Sequence, residues 1–219
     1  MPVKVDAAPS DDERLDTLSR GYVHSKLLKF AKGAELFRAR EEANCVYQVI
    51  SGAVRTYRLL SDGRRHINAF HLIGDIFGLE NGPTYRFTAE ATVDTKVRVV
   101  PRRDLFDAMI SVKGGAKDLL GLITLNLIRA ESRILLLGQN TAIERVAAFL
   151  LEIDQRHSHP DEIALPMTRV DIADYLGLKT ETVSRAFSSM QDKEILRFKG
   201  MNGRRIILLD RERLAELEA

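Results

Sequence analysis

Apolar residues recur with helical spacing over the last part of the chain. Val183, Ala186, Phe187 and Met190 follow an i, i+3, i+4, i+7 rhythm, while Glu181, Ser184, Arg185 and Ser188 follow the same rhythm roughly 200° around the 3.6-residue turn. One helix therefore carries a core face and a polar face. Ahead of it, Ile172, Ala173 and Leu176 form the apolar face of a shorter helix, which Thr168 caps with Asp171 three residues on as a capping-box-like acid. Gly177 permits a sharp turn between the two. Short helices meeting at such a turn are the sequence form of a helix-turn-helix. Behind them, 195–199 and 204–209 are strand-like runs joined by Gly200, Met201, Asn202 and Gly203, which predicts a β-hairpin wing.

Nearer the N-terminus the period shortens to two. The runs 45–50, 53–60 and 67–72 read as short strands, with Asp62-Gly63 as a hairpin signal between two of them. Ala91, Val93, Thr95, Val97 and Val99 alternate with Thr92, Asp94, Lys96 and Arg98, which predicts one half-buried strand with the first set inward. Many short strands with Gly-rich turns imply a closed β-roll or jelly-roll-like barrel. A short helix over 103–110 ends at Lys113-Gly114-Gly115, and a long helix follows over 116–137. In it Leu120, Ile123, Leu127, Ala130, Ile134 and Leu137 are spaced like the a and d positions of a coiled coil. A second stripe with Leu119, Ile128 and Leu136 would pack this helix onto the roll. A helix buried within a monomer would explain both stripes, but a seam without a charge favours a second copy. Residues 138–141 read as a hinge before a helix over 144–153, and residues 1–20, polar and charged, as a mobile arm.

Charge sharpens the C-terminal reading only locally. The whole chain carries a formal +2, and residues 160–219 hold 10 basic against 11 acidic side chains, a net of −1. What matters is placement: Arg169, Lys179, Arg185, Lys199 and Arg204 cluster around the two helices and the wing. On the polar face, Arg makes bidentate bonds to guanine, Glu accepts from the cytosine amino group, and Ser serves either role. The bland alternative is an exposed Glu181–Arg185 pair worth about 0.3 to 0.5 kcal/mol. No apolar run is long enough to span a membrane and no leader pattern opens the chain, which points to a cytoplasmic protein. Cys45 is the single cysteine, so one chain holds neither an internal disulfide nor a four-cysteine iron–sulfur ligand set. There is no nucleotide-binding glycine fingerprint or nucleophile elbow, so an enzyme is not expected.

The segment GLKTETVSRAF followed by the wing resembles the recognition region of the CRP/FNR family of bacterial transcription regulators, and Tyr47 to Glu80 looks like the β-roll sensor domain of that family. Glu181-x-x-Ser184-Arg185 matches the E-x-x-S-R pattern of the FNR/FixK branch. The resemblance implies a palindromic operator of the type TTGAT-N4-ATCAA, read by Glu181, Ser184 and Arg185, and a role in oxygen-limited respiration or nitrogen metabolism. Oxygen-sensing members carry a cysteine cluster that this chain lacks, so FixK-like proteins without a cluster are the nearer comparison. Those members also carry an acid at the seam position that aligns with Ala130. Cyclic-nucleotide binders of the family use a Gly-Glu-Leu step and an Arg followed by a small hydroxyl residue and Ala. Here the order is Gly78-Leu79-Glu80 and Arg86-Phe87-Thr88-Ala89, each displaced by one residue, which turns a strand side chain to the other face.

Other ligand chemistry is sparse. His24, His66, His71 and Cys45 lie in or near the roll as single candidate haem ligands, and no spacing selects a pair. His157-x-His159 with Asp154 and Asp161 sketches a metal site, but RHSHPDE has the composition of a polar loop. Cys45 reads as a small strand residue, with a redox thiol as the alternative. The expectation is an α+β chain: an arm over 1–20, an N-terminal β-roll, a cyclic-nucleotide-binding-like jelly roll, over 21–112, a dimerisation helix over 113–139 and a winged helix-turn-helix over 140–219. It is expected to bind double-stranded DNA as a homodimer and to engage RNA polymerase, without cofactor or metal. Arg169, Lys179, Thr180, Lys199 and Arg204 are the expected phosphate contacts. A regulator that senses a small molecule or haem-bound gas in the roll is the alternative.

Overall fold

Strands β1 (Lys26–Phe30), β2 (Glu35–Phe37), β3 (Cys45–Ser51), β4 (Val54–Leu59), β5 (Arg65–His71), β6 (Ile76–Phe77), β7 (Thr88–Ala91) and β8 (Thr95–Pro101) form two four-stranded sheets, ordered β1-β8-β3-β6 and β2-β7-β4-β5. Strand β3 shows why the pattern closes into a roll. Its Tyr47 and Val49 point into a core shared with Phe37, Val54, Phe77, Tyr85, Ala89 and Val97, drawn from both sheets. On the opposite face, Val46 packs with Ile76, Val100, Leu105 and Met109 beneath the following helix. Buried on both faces, β3 is apolar over 46–50 except at the buried Gln48. Aromatic stacking anchors the first core, with the Phe37 and Tyr85 rings 3.7 Å apart.

The computed structural model describes residues 24–111, 114–138, 141–156, 162–200 and 203–217. The arm expected over 1–20, the His157-x-His159 pair with Asp161, and Met201 and Asn202 of the wing turn lie outside the described residues. The chain divides into two compact units, one made of 1–56 and 70–123, the other of 57–69 and 124–219.

The single strand predicted over 91–99 is in fact two, because β7 ends at Ala91 and β8 begins at Thr95. Thr92, expected to face outward, is buried. Its hydroxyl donates to the Ala53 carbonyl at 3.1 Å and its N–H to the same oxygen at 2.9 Å, while the Thr95 hydroxyl adds a third bond at 3.0 Å. Gly52 makes this approach feasible: its φ is +85°, and a Cβ there would sit 2.6 Å from the Asp94 carbonyl oxygen. Polarity alone misplaced Thr92, since a hydroxyl with local partners is cheap to bury.

Helix α1 (Arg102–Ser111) covers the outer face of the roll through Leu105 and Met109, and α2 (Gly115–Gly138) adds Leu119 and Leu122 to that cluster. In the second unit, α3 (Ala142–Gln155) begins at a reciprocal capping box between Thr141 and Glu144. Its Val146, Phe149, Leu150 and Ile153 are fully buried, as are Ile172 and Leu176 of α4 (Arg169–Leu176) and Val183, Phe187 and Met190 of α5 (Thr180–Asp192). A three-stranded sheet, β10-β11-β9, follows from β9 (Ile163–Ala164), β10 (Leu196–Lys199) and β11 (Arg205–Leu208), and α6 (Arg211–Glu216) closes the unit. Among the described residues no helix is long and apolar enough to cross a membrane.

Candidate nucleic-acid interface

The turn between α4 and α5 is built as its residues dictate. Thr168 accepts the Asp171 N–H and Asp171 accepts the Thr168 N–H, a reciprocal capping box, and Gly177 ends α4 in the left-handed region at φ +65°. Lys179 is the N-cap of α5. Along α5 the two faces separate as the periodicity predicts: Val183, Ala186, Phe187 and Met190 are buried, and Glu181, Ser184, Arg185 and Ser188 are exposed. The Ser184 hydroxyl donates to the Thr180 carbonyl at 3.0 Å. Turning that hydroxyl outward makes it a donor or acceptor for a ligand at the cost of one weak bond. The exposed face thus presents a carboxylate, a hydroxyl and a guanidinium within two turns, chemistry suited to base edges in a major groove.

Helix α4 is fixed by groups that sequence spacing does not connect. The Asp171 carboxylate, almost fully buried, has one oxygen on its own cap, accepting the Thr168 N–H at 2.9 Å and hydroxyl at 2.7 Å. Its other oxygen accepts Arg65 Nη2 at 2.8 Å. The same guanidinium donates Nε and Nη2 to Asp174 Oδ2, both at 3.1 Å, and lies 5.6 Å from the Tyr57 ring centroid. From α2, Arg133 donates to the Ile67 and Asn68 carbonyls of β5 and stacks 4.6 Å over Tyr175 of α4. Burial pushes the Tyr175 hydroxyl well above its usual pKa, so it stays neutral. The β4–β5 hairpin tip, α2 and α4 are thereby cross-linked within one unit. Nothing in the chain's periodicity pairs residue 65 with residue 171.

The five expected phosphate ligands are not alike. Lys179 is exposed and Thr180 half-buried at the start of α5, where helix N–H groups favour an anion. Lys199 donates to Glu162 Oε2 at 2.6 Å, and Arg205 reaches the other oxygen at 3.3 Å. Arg204 is half-buried beside the wing turn. Arg169 turns inward: its guanidinium lies 3.3 Å from the Phe187 ring centroid and 5.3 Å from that of Phe198, and donates to the Gly203 carbonyl at 3.2 Å. Burial lowers its pKa to about 10, which leaves it charged at neutral pH.

Residues 144–217 match the Crp-like helix-turn-helix domain, and residues 27–111 match the cyclic nucleotide-binding domain. The chain is 39% identical to the nitrogen fixation regulation protein FixK of Rhizobium meliloti over 76% of each chain. It is 37% identical to the FixK of Azorhizobium caulinodans over 100% of this chain and 95% of that one. Among solved structures, FixK2 from Bradyrhizobium japonicum superposes with a TM-score of 0.85 at 49% identity, covering 90% of this chain and 98% of that one. The chain belongs to the CRP/FNR family. It is a DNA-binding transcription regulator of the CRP/FNR type with a helix-turn-helix domain and FixK-like relatives.

In this CRP/FNR chain the displaced sensor residues have found each other. Arg86 Nε donates to Glu80 Oε2 at 2.7 Å, and the Arg86 N–H reaches Glu80 Oε1 at 3.2 Å. His71 stacks on Phe77 with ring centroids 4.5 Å apart and shares a hydrogen bond with Thr56, whereas His24 and His66 are exposed. Asp154, the described member of the sketched metal set, takes two bonds from Arg211 at 2.8 and 3.0 Å. No group of three metal-ligating side chains occurs among the described residues. The Cys45 thiol is half-buried and burial raises its pKa, the opposite of what a reactive thiolate needs.

Proposed function

We propose that this regulator binds a TTGAT-N4-ATCAA-like palindrome as a homodimer and needs no dissociable effector to do so. The carrying observation is the exposed trio Glu181, Ser184 and Arg185 on one face of α5, with every apolar residue of that helix turned into the core. Arg185 then bonds the guanine of each half-site, Glu181 accepts from the paired cytosine amino group, and Ser184 contacts the neighbouring base or its phosphate. Lys179, Thr180, Lys199 and Arg204 approach the backbone, with Lys199 leaving Glu162 to do so. The seam of α2 supports the dimer: Leu120, Ile123, Leu127 and Ile134 are 53 to 70% exposed in the single chain, Ala130 is exposed between them and Leu137 is half-buried. Apolar residues left in water along one helix stripe find cover in a second copy, which places two reading helices about one DNA turn, 34 Å, apart.

Effector independence is supported by the Glu80–Arg86 pair, in which each charge already has its partner, and by the single raised-pKa cysteine. We read the protein as a cytoplasmic, non-enzymatic partner of RNA polymerase, acting in oxygen-limited respiration or nitrogen metabolism. Aerobically purified protein, with nothing added, is expected to shift a labelled TTGAT-N4-ATCAA duplex at nanomolar concentration and a scrambled duplex only about a thousandfold more weakly. Binding that appears only after cyclic nucleotide, haem, or iron and sulfide is supplied would reject effector independence.

A further inference from the structure

The inward turn of Arg169 separates it from the other basic residues of the motif. Its guanidinium meets Phe187 on the buried stripe of α5, roughly opposite the face that carries Glu181, Ser184 and Arg185. Phe187 and Phe198 approach each other at 6.0 Å, and the guanidinium packs against both rings. The guanidinium also donates to the Gly203 carbonyl, at the end of the wing turn and just before β11. A single side chain at the first position of α4 thus touches the reading helix, one wing strand and the wing turn. We propose that Arg169 is a positioning residue of the DNA-binding motif: stacked on Phe187 and Phe198 and bonded to Gly203, it sets the wing against the reading helix and does not itself contact phosphate.

Arginine suits this role and lysine does not. A guanidinium is planar, weakly hydrated and able to stack on a ring while its edge N–H groups donate sideways, whereas an ammonium is a strongly hydrated point charge. A phosphate contact makes no demand for stacking, and lysine also binds phosphate, as a point charge. Arg169→Lys and Arg169→Met in the full-length protein therefore separate the two roles.

Hydrogen exchange of the DNA-free protein is the first readout and does not depend on the operator reading. Both variants are expected to speed exchange about tenfold in the amides of β10, β11, Gly203 and Arg204 while leaving α3 unchanged. Wing exchange that stays at the unmodified rate, or equal acceleration of wing and α3, overturns the proposal; the second result would mean a general loss of stability. The second readout rests on the palindrome reading. Both variants are expected to lose about tenfold in affinity for the palindrome. In an Arg204→Ala background, Arg169→Met should leave the slope of log affinity against log salt unchanged. Full affinity in the lysine variant, with a slope smaller by about one unit in the methionine variant of that background, makes Arg169 a phosphate contact and overturns the proposal. If the unmodified protein ignores the palindrome, the operator reading fails while the exchange experiment still decides the role of Arg169.

Discussion

Replacing Arg65 by alanine tests how the first helix of the motif is held. Asp171 has a side chain 2% exposed, with one oxygen committed to the Thr168 cap and the other 2.8 Å from Arg65. Removing the guanidinium takes away a hydrogen bond between charged groups, worth about 1.5 to 3 kcal/mol, and leaves a buried carboxylate without that cation. Breaking a fully buried pair costs about 3 to 5 kcal/mol, but Arg65 is 24% and Asp174 27% exposed, so water replaces part of the loss. The expected cost is therefore about 2 to 3 kcal/mol, which in a chain of this size lowers the melting temperature by about 5 to 10 °C. A double-mutant cycle isolates the interaction. Asp171→Asn keeps a cap acceptor for the Thr168 N–H and removes the charge, so Arg65→Ala should cost about 2 kcal/mol less in that background than alone. Urea unfolding of the four proteins gives the coupling energy, and a value below about 0.5 kcal/mol would refute the assignment of Arg65 as the anchor of Asp171.

Three further outcomes are expected. Arg185→Ala should cost about 1 to 3 kcal/mol on the palindrome and relax preference at its G·C pair; an equal loss on scrambled DNA would make Arg185 a backbone contact. Ala130→Asp should bring two carboxylates together across the two-fold seam, weaken dimerisation a hundredfold or more through a penalty of about 3 kcal/mol, and abolish operator binding with it. Sedimentation of the unmodified protein as a monomer at micromolar concentration, or of the variant as a normal dimer, would refute the seam. Because burial raises the Cys45 pKa above its usual value, the thiolate fraction at pH 8 is smaller than in a peptide. Alkylation by iodoacetamide should be slow there and rise with pH to a midpoint above that of a peptide thiol; a fast reaction at pH 7 would contradict the buried setting.

Local periodicity and local chemistry determined the reading motif. The stripe of Val183, Ala186, Phe187 and Met190 needed only helical spacing, and the Thr168–Asp171 cap and Gly177 turn needed only residues within a few positions of one another. Strands β3, β4 and β5 of the roll, the long helix and the wing were legible for the same reason, since burial on one face leaves a period in the sequence, whereas β1, β2 and β6 are too exposed or too short to leave one. Tertiary structure decided what period cannot encode. Thr92 faces inward because the Ala53 carbonyl and the turn at Gly52 receive it, and a strand pattern has no view of a partner 39 residues away. Basic residues around a helix-turn-helix look equivalent in one dimension, yet Arg169 lies on an aromatic ring, Lys199 on Glu162 and Lys179 in solvent. Arg65 reaches Asp171 across 106 positions. Such pairings carry no local signature, because their strength comes from exclusion of water at a contact that exists only once distant segments have packed together.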